Sequence, residues 1–192
     1  MQRFMLVTIL LVSSVTAGAH PHSYVDQQAL LSLGSSTMDV TIRIVPSFDS
    51  GAAVFSRIDT DGSNVVSADE AARFAAAVIA KASLEIDGQM IVFRQATATV
   101  PDLDQVSTGL GIIEIEATAS FTLAGAGEHQ VAFEIAYDEF SHDWQVQPYF
   151  YADFAEAMSS RIVARSDMGN QVGILFSSQS TIGRSLHTLP TF

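Results

Sequence analysis

Five side chains with oxygen donors fall at positions 1, 3, 5, 9 and 12 of one stretch, Asp59-Thr60-Asp61-Gly62-Ser63-Asn64-Val65-Val66-Ser67-Ala68-Asp69-Glu70. They are Asp59, Asp61, Ser63, Ser67 and Glu70. Position 7 is Val65, which offers its backbone carbonyl, and position 8 is the apolar Val66. A hard divalent cation of calcium's size takes six to eight oxygens in a flexible shell, and this spacing wraps them round one point. Glu70 would close the site with both carboxylate oxygens. Two positions weaken the pattern. Asn64 stands at position 6, where the sharp turn normally uses Gly, and Ser63 replaces a carboxylate or amide at position 5. Asn is the next-best residue for positive φ, so the expectation is a weak calcium site. The same residues also fit a polar turn between two helices that binds nothing.

A loop of this kind must be held between two helices, and the flanks supply them. Phe48, Val54, Phe55 and Ile58 precede it at roughly helical spacing. Ala71, Phe74, Ala75, Val78, Ile79 and Ala82 follow at i, i+3, i+4, the buried stripe of an exiting helix. Helix, loop and helix together read as an EF-hand type unit at about residues 47–83, with Ser47 as the expected cap of the first helix.

Histidines are the second set of possible ligands. His20 and His22 flank Pro21 next to an expected processing site, where His20 would offer an α-amine and an imidazole. Such nitrogens suit nickel, cobalt, copper or zinc. Pro21 removes an amide and disfavours a square-planar site built on the chain terminus. His142, in Ser141-His142-Asp143-Trp144, is the candidate third ligand, while His129 and His187 have no supporting neighbours in sequence. Ordinary surface histidines are the alternative. Nucleophilic catalysis has little support. There is no cysteine and no Gly-x-Ser-x-Gly turn, and Glu114/Glu116 read as a solvated strand face rather than an acid/base pair. The expectation is a protein that is not an enzyme.

The remaining chain reads as strands. Residues 24–33 and Met38 to Val45 form a hairpin around Gly34-Ser35-Ser36, and Pro46 stops its second arm. Leu84 to Ile86, Asp87-Gly88 and Met90 to Phe93 form another. Leu110 to Leu123 alternates, Ala124 to Gly127 reads as a turn, and Gln130 to Tyr137 is the expected partner strand. Gln145 to Tyr151, Ile162 to Ala164 and Gln171 to Phe176 are further strands, with a helical turn at Ala152 to Met158. Val100 to Gly109 reads as a surface loop. The aromatic run from Trp144 to Phe154 is either core or a groove for sugar or peptide. Short strands with Gly-containing turns argue for a mainly β protein, an antiparallel immunoglobulin-like sandwich with the helical unit inserted.

Composition narrows the functional classes. Met1-Gln2-Arg3, the apolar run Phe4 to Val15 and Thr16-Ala17-Gly18-Ala19 read as a signal peptide over residues 1–19, an uncleaved anchor being the alternative. Residues 20–192 then form a single domain, exported to a bacterial periplasm or beyond, with no direct membrane insertion. The net charge is −12, and loss of Arg3 with the leader takes it to −13. Such a surface repels phosphate backbones and excludes nucleic acid as a natural partner.

His20-Pro21-His22, a strand hairpin, the insert carrying Asp59 to Glu70 and a strand-rich remainder together resemble a family of bacterial periplasmic proteins of unassigned function. The resemblance runs from His20 to Phe154. Members look like the periplasmic domains that precede, or are encoded beside, nickel/cobalt permeases. It implies transition-metal handling at the histidines and an inner-membrane metal permease as partner. The expected function is a non-enzymatic calcium-binding accessory protein. Two other readings stay open: a carbohydrate or adhesion module using the Trp144 to Phe154 aromatics, and a copper protein built on His20.

Overall fold

The computed structural model describes residues 25–178. Ten strands and four helices follow in chain order: β1 (Val25–Leu33), β2 (Thr37–Pro46), α1 (Gly51–Ile58), α2 (Ala68–Ile79), β3 (Ala82–Ile86), β4 (Gln89–Ile91), β5 (Arg94–Thr99), α3 (Leu103–Ser107), β6 (Ile113–Ser120), β7 (Gly127–Ile135), β8 (Trp144–Phe150), α4 (Ala152–Ala157), β9 (Met158–Arg165) and β10 (Gln171–Ser178). Two five-stranded sheets run β5-β6-β2-β1-β8 and β4-β3-β7-β10-β9. Each inner face is apolar because strand side chains alternate. Ala29, Leu31 and Leu33 of β1, Met38 to Ile44 at every second residue of β2, and Ile113 to Ala119 of β6 are buried from one sheet. Leu84 and Ile86, Val131 to Ile135, and Val172 to Phe176 oppose them from the other. The mainly β sandwich expected from sequence is therefore what the chain forms. It is not purely antiparallel, because β1 pairs with β8 in parallel. That pairing needs a partner far along the chain, which alternation cannot reveal.

The pairing expected between Leu110–Leu123 and Gln130–Tyr137 does not form: β6 lies between β5 and β2 in one sheet and β7 between β3 and β10 in the other, because the connection carries the chain from sheet to sheet. The β3–β4 hairpin follows its turn chemistry. Asp87 and Gly88 both take positive φ (51° and 78°), the conformation that matches the twist of a two-residue connection. The helical unit occupies residues 51–79, inside the range expected. α1 buries Gly51, Val54, Phe55 and Ile58; α2 buries Phe74, Ala75 and Val78. α2 lies against β5, and α1 lies against α3.

Four local expectations fail here. Ala82 opens β3 and is no part of the stripe of the exiting helix, because α2 ends at Ile79. Phe48 is 73% exposed and is no part of the buried stripe, because α1 starts only at Gly51. The cap of α1 is Ser50, and Ser47 instead closes a turn in which the Ser50 and Gly51 N–H groups donate to its carbonyl (3.1 and 2.8 Å). The segment read as a loop contains α3, capped by Asp102, whose carboxylate accepts from the Gln105 N–H at 2.8 Å. α3 buries Val106 completely. Five residues are too few for a helical period to show in sequence.

The aromatic run does not form one surface. Trp144 is buried and donates its Nε1–H to Tyr137 O at 2.8 Å. Phe154 is fully buried, whereas Tyr149 and Tyr151 are exposed. Glu114 and Glu116 do lie on the solvent side of β6, where Glu114 accepts from Arg43 Nε at 2.9 Å. No helix among the described residues is long and apolar enough to cross a membrane.

Candidate metal centre

The connection between α1 and α2 is built by its own carboxylates. Asp59, directly after α1, accepts from the Ser63 N–H through Oδ1 (3.1 Å) and from the Asn64 N–H through Oδ2 (2.8 Å). Asp61 Oδ1 accepts from the Ser63 N–H at 2.9 Å, the two-residue closure typical of Asp in turns. The chain reverses at Gly62 (φ 71°) and at Asn64 (φ 63°). The positive φ expected at Asn64 is thus present.

Glu70 closes the loop from the far side. Its Oε1 accepts from the Thr60 N–H (2.7 Å), Thr60 Oγ1 (2.8 Å) and the Asp61 N–H (3.2 Å). Its Oε2 accepts from the Ser67 N–H (2.9 Å) and Ser67 Oγ (2.8 Å). Ser67 in turn accepts from the Glu70 N–H, so a reciprocal capping box starts α2. One carboxylate therefore anchors a helix N-terminus and the opposite end of the loop together. The Ser67 and Thr60 donors hold its pKa down at about 2. Ser63 hydrogen bonds lower the Asp61 carboxyl as well.

Carboxylate oxygens of Asp59, Asp61 and Glu70 all lie within 4.8 Å of one another. Asp59 and Glu70 are buried and Asp61 is exposed. Among the described residues none of the three forms an ion pair with Lys or Arg. Several negative charges converge on one point, supported by N–H and O–H dipoles, with the Arg73 guanidinium one bond further out, 3.5 Å from Thr60 Oγ1. Each carboxylate oxygen has two lone-pair sites, so the two Asp59 oxygens, which accept one hydrogen bond each, retain capacity toward an ion, whereas the Glu70 oxygens accept three and two and would ligate only by releasing loop donors. This acidic triad could hold a metal ion.

The other expected ligands fall out as follows. Ser63 Oγ donates to Val65 O at 3.0 Å, and it is the Ser63 N–H that donates to Asp59 and Asp61. Ser67 caps α2. His142 is exposed before β8 and belongs to no cluster of metal-ligating groups among the described residues. His20 and His22 lie outside the described residues.

The histidine for which the sequence offered no neighbour has the most contacts. His129 is 4% exposed. Its Nδ1 is 2.7 Å from Asp87 Oδ2, and its Nε2 is 2.9 Å from Ser178 Oγ and 3.2 Å from Gly125 O. No short motif signals this grouping, because its members stand 42 and 49 residues apart.

No protein-family model matches this sequence, and no curated protein is similar to it. The chemistry of the site rests on its residues.

Proposed function

We propose that this protein binds calcium through the loop Asp59 to Glu70, in the manner of an EF-hand, and uses the ion to fix the helical unit on the sandwich. The observation that carries this reading is the convergence of Asp59, Asp61 and Glu70 oxygens within 4.8 Å on a loop that joins two helices. All the donors are hard oxygens, with no histidine or cysteine among them, which suits calcium over softer transition metals. Ser63, the Val65 carbonyl and Ser67 complete the ligand set.

The fold explains what the ion would stabilise. α2 reaches the core through Phe74, which meets Tyr137 edge-on at 6.4 Å and lies 6.1 Å from Phe140. α1 carries Arg57, paired with Glu139 at 2.8 Å, the same Glu139 that accepts from Tyr137 Oη at 3.0 Å. An ion bridging Asp59, at the end of α1, and Glu70, in the first turn of α2, holds both helices against this segment.

In the same reading the protein is exported and acts as a periplasmic accessory to a nickel or cobalt permease. The resemblance carried by His20-Pro21-His22 and the acidic surface support it. Calorimetric titration of the protein with calcium in chelated buffer tests the central claim. We expect one site per chain with a dissociation constant of about 0.1 to 1 mM. Absence of binding at 10-fold higher calcium refutes it.

A further inference from the structure

Three polar side chains from three elements meet at one end of the sheet β4-β3-β7-β10-β9. Asp87 opens the β3–β4 turn, His129 lies on β7, and Ser178 is the last residue of β10. The β7–β10 register pairs Phe176 with His129 and Ser178 with Gly127. Ser178 is two residues past His129's partner and so points to the same face.

The resulting order is carboxylate, imidazole, hydroxyl, with separations of 2.7 and 2.9 Å. This is the arrangement that activates a hydroxyl: a base within hydrogen-bond reach, itself oriented by a third group. Asp87 is fixed at both ends of the residue. Its Oδ1 accepts from the Gln130 N–H (2.8 Å), and its own N–H donates to Gln130 O (2.9 Å). Oδ2 is left to take the Nδ1–H of His129. That contact selects the tautomer whose Nε2 lone pair accepts the Ser178 O–H. The imidazole lies 5.5 Å from the Phe176 ring, which meets Phe154 at 4.9 Å, so it is backed by an apolar wall. Ser178 Oγ also donates to Gly125 O at 3.2 Å, so its one proton is shared between that carbonyl and the nearer Nε2 at 2.9 Å, and Gly125 O, 3.2 Å from Nε2, is an acceptor for the Nε2–H once the proton has moved. A Cβ at Gly125 or Gly127 would meet nothing within 4 Å; Ser178 is half-buried and His129 is 4% exposed, so an ester would have to reach the hydroxyl from the side of this turn.

We propose that Ser178 is an activated nucleophile for small carboxylic esters, with His129 as its base and Asp87 as the positioning residue. In the acylation step Ser178 Oγ bonds to the ester carbonyl carbon, its proton passes to His129 Nε2, and the carbonyl electron pair moves onto oxygen. The adduct collapses, the alcohol leaves with the proton from Nε2, and Ser178 carries the acyl group. Water repeats the sequence and releases the acid. This site shares no residue with the metal loop and does not depend on it.

A hydrogen-bonded clasp that merely ties a hairpin to a strand end would have the same contacts but would not react. Treating the full chain with a fluorophosphonate probe separates the two. The probe loses fluoride to Ser178 Oγ and leaves a mass that peptide mapping locates. We expect a single adduct on Ser178, absent from Ser178→Ala, and turnover of p-nitrophenyl acetate lost in the same variant. His129→Gln should label at least ~100-fold more slowly, the scale of a general base. Asp87→Asn, a near-isosteric change at a half-exposed side chain, should also label more slowly with an unchanged circular dichroism spectrum. No adduct on Ser178 in the wild-type chain overturns the proposal, as does labelling of a folded His129→Gln chain at the wild-type rate.

Discussion

Calcium at 1 mM should raise the melting midpoint of this protein by about 3–6 °C, and Glu70→Gln should abolish the rise. The magnitude follows from the loop. Three carboxylates supply its charge. Ser63 is a weak donor already bonded to Val65 O, and the turn at position 6 holds an Asn in the left-handed region. These features place the site among the weak calcium loops, and the tighter end of their range, about 0.1 mM, sets the size of the shift. An ion at ten times that concentration stabilises the native state by roughly RT ln 11, about 1.4 kcal/mol. For a chain of about this size each kcal/mol moves the midpoint by roughly 2–4 °C. Glu70→Gln keeps the shape but leaves one oxygen where two acted. Whichever way the amide turns, its NH2 group faces donors from Thr60 and Asp61 or from Ser67. The variant should therefore melt below wild type without metal and show no calcium response. Differential scanning calorimetry with calcium and with chelator reads both quantities. Magnesium at the same concentration should shift the midpoint less, because it demands a tighter octahedral shell. An unchanged wild-type midpoint at 10-fold higher calcium, or an equal rise in Glu70→Gln, refutes the reasoning.

Asn64 sits at φ 63°, so Asn64→Val should cost about 1–2 kcal/mol in urea unfolding while Asn64→Gly is tolerated. Gly51→Ala separates helix propensity from packing. Propensity alone favours Ala by about 1 kcal/mol, but the new Cβ would collide with Val106 O and lie 2.8 Å from Ser107 Cα. We expect net destabilisation of about 1–3 kcal/mol, read as a lower urea midpoint. Burial alone would raise the Asp87 carboxyl, but the Gln130 N–H and the His129 ring outweigh it, and its pKa falls below the ordinary 3.8. A depressed folded-state value means stability that is present above the unfolded pKa and is lost as pH falls below about 4. Asp87→Asn should therefore flatten the acid side of the stability profile, measured by urea titration at stepped pH.

Alternation of apolar and polar residues in β2 and β6 was enough to assign strands and faces, because one side of each is buried and a one-residue slip would expose it, but it did not show that β7 pairs with β3 and β10 rather than with β6. The acidic loop was legible for a similar reason. Its carboxylates lie within twelve consecutive residues, and local dihedrals alone bring Asp59, Asp61 and Glu70 together. The positive φ of Asn64 was equally local. What lay beyond the sequence depended on distant segments. The parallel pairing of β1 with β8 joins Gln27 to Trp144. α3 is held by a single buried Val106 beneath α1. Phe48 reads as part of a stripe until the helix is seen to start three residues later. Asp87, His129 and Ser178 carry no mutual signal along the chain. They meet because β7 lies between β3 and β10 in the assembled sheet, and strand order is set by the packing of the whole sandwich rather than by any stretch within it.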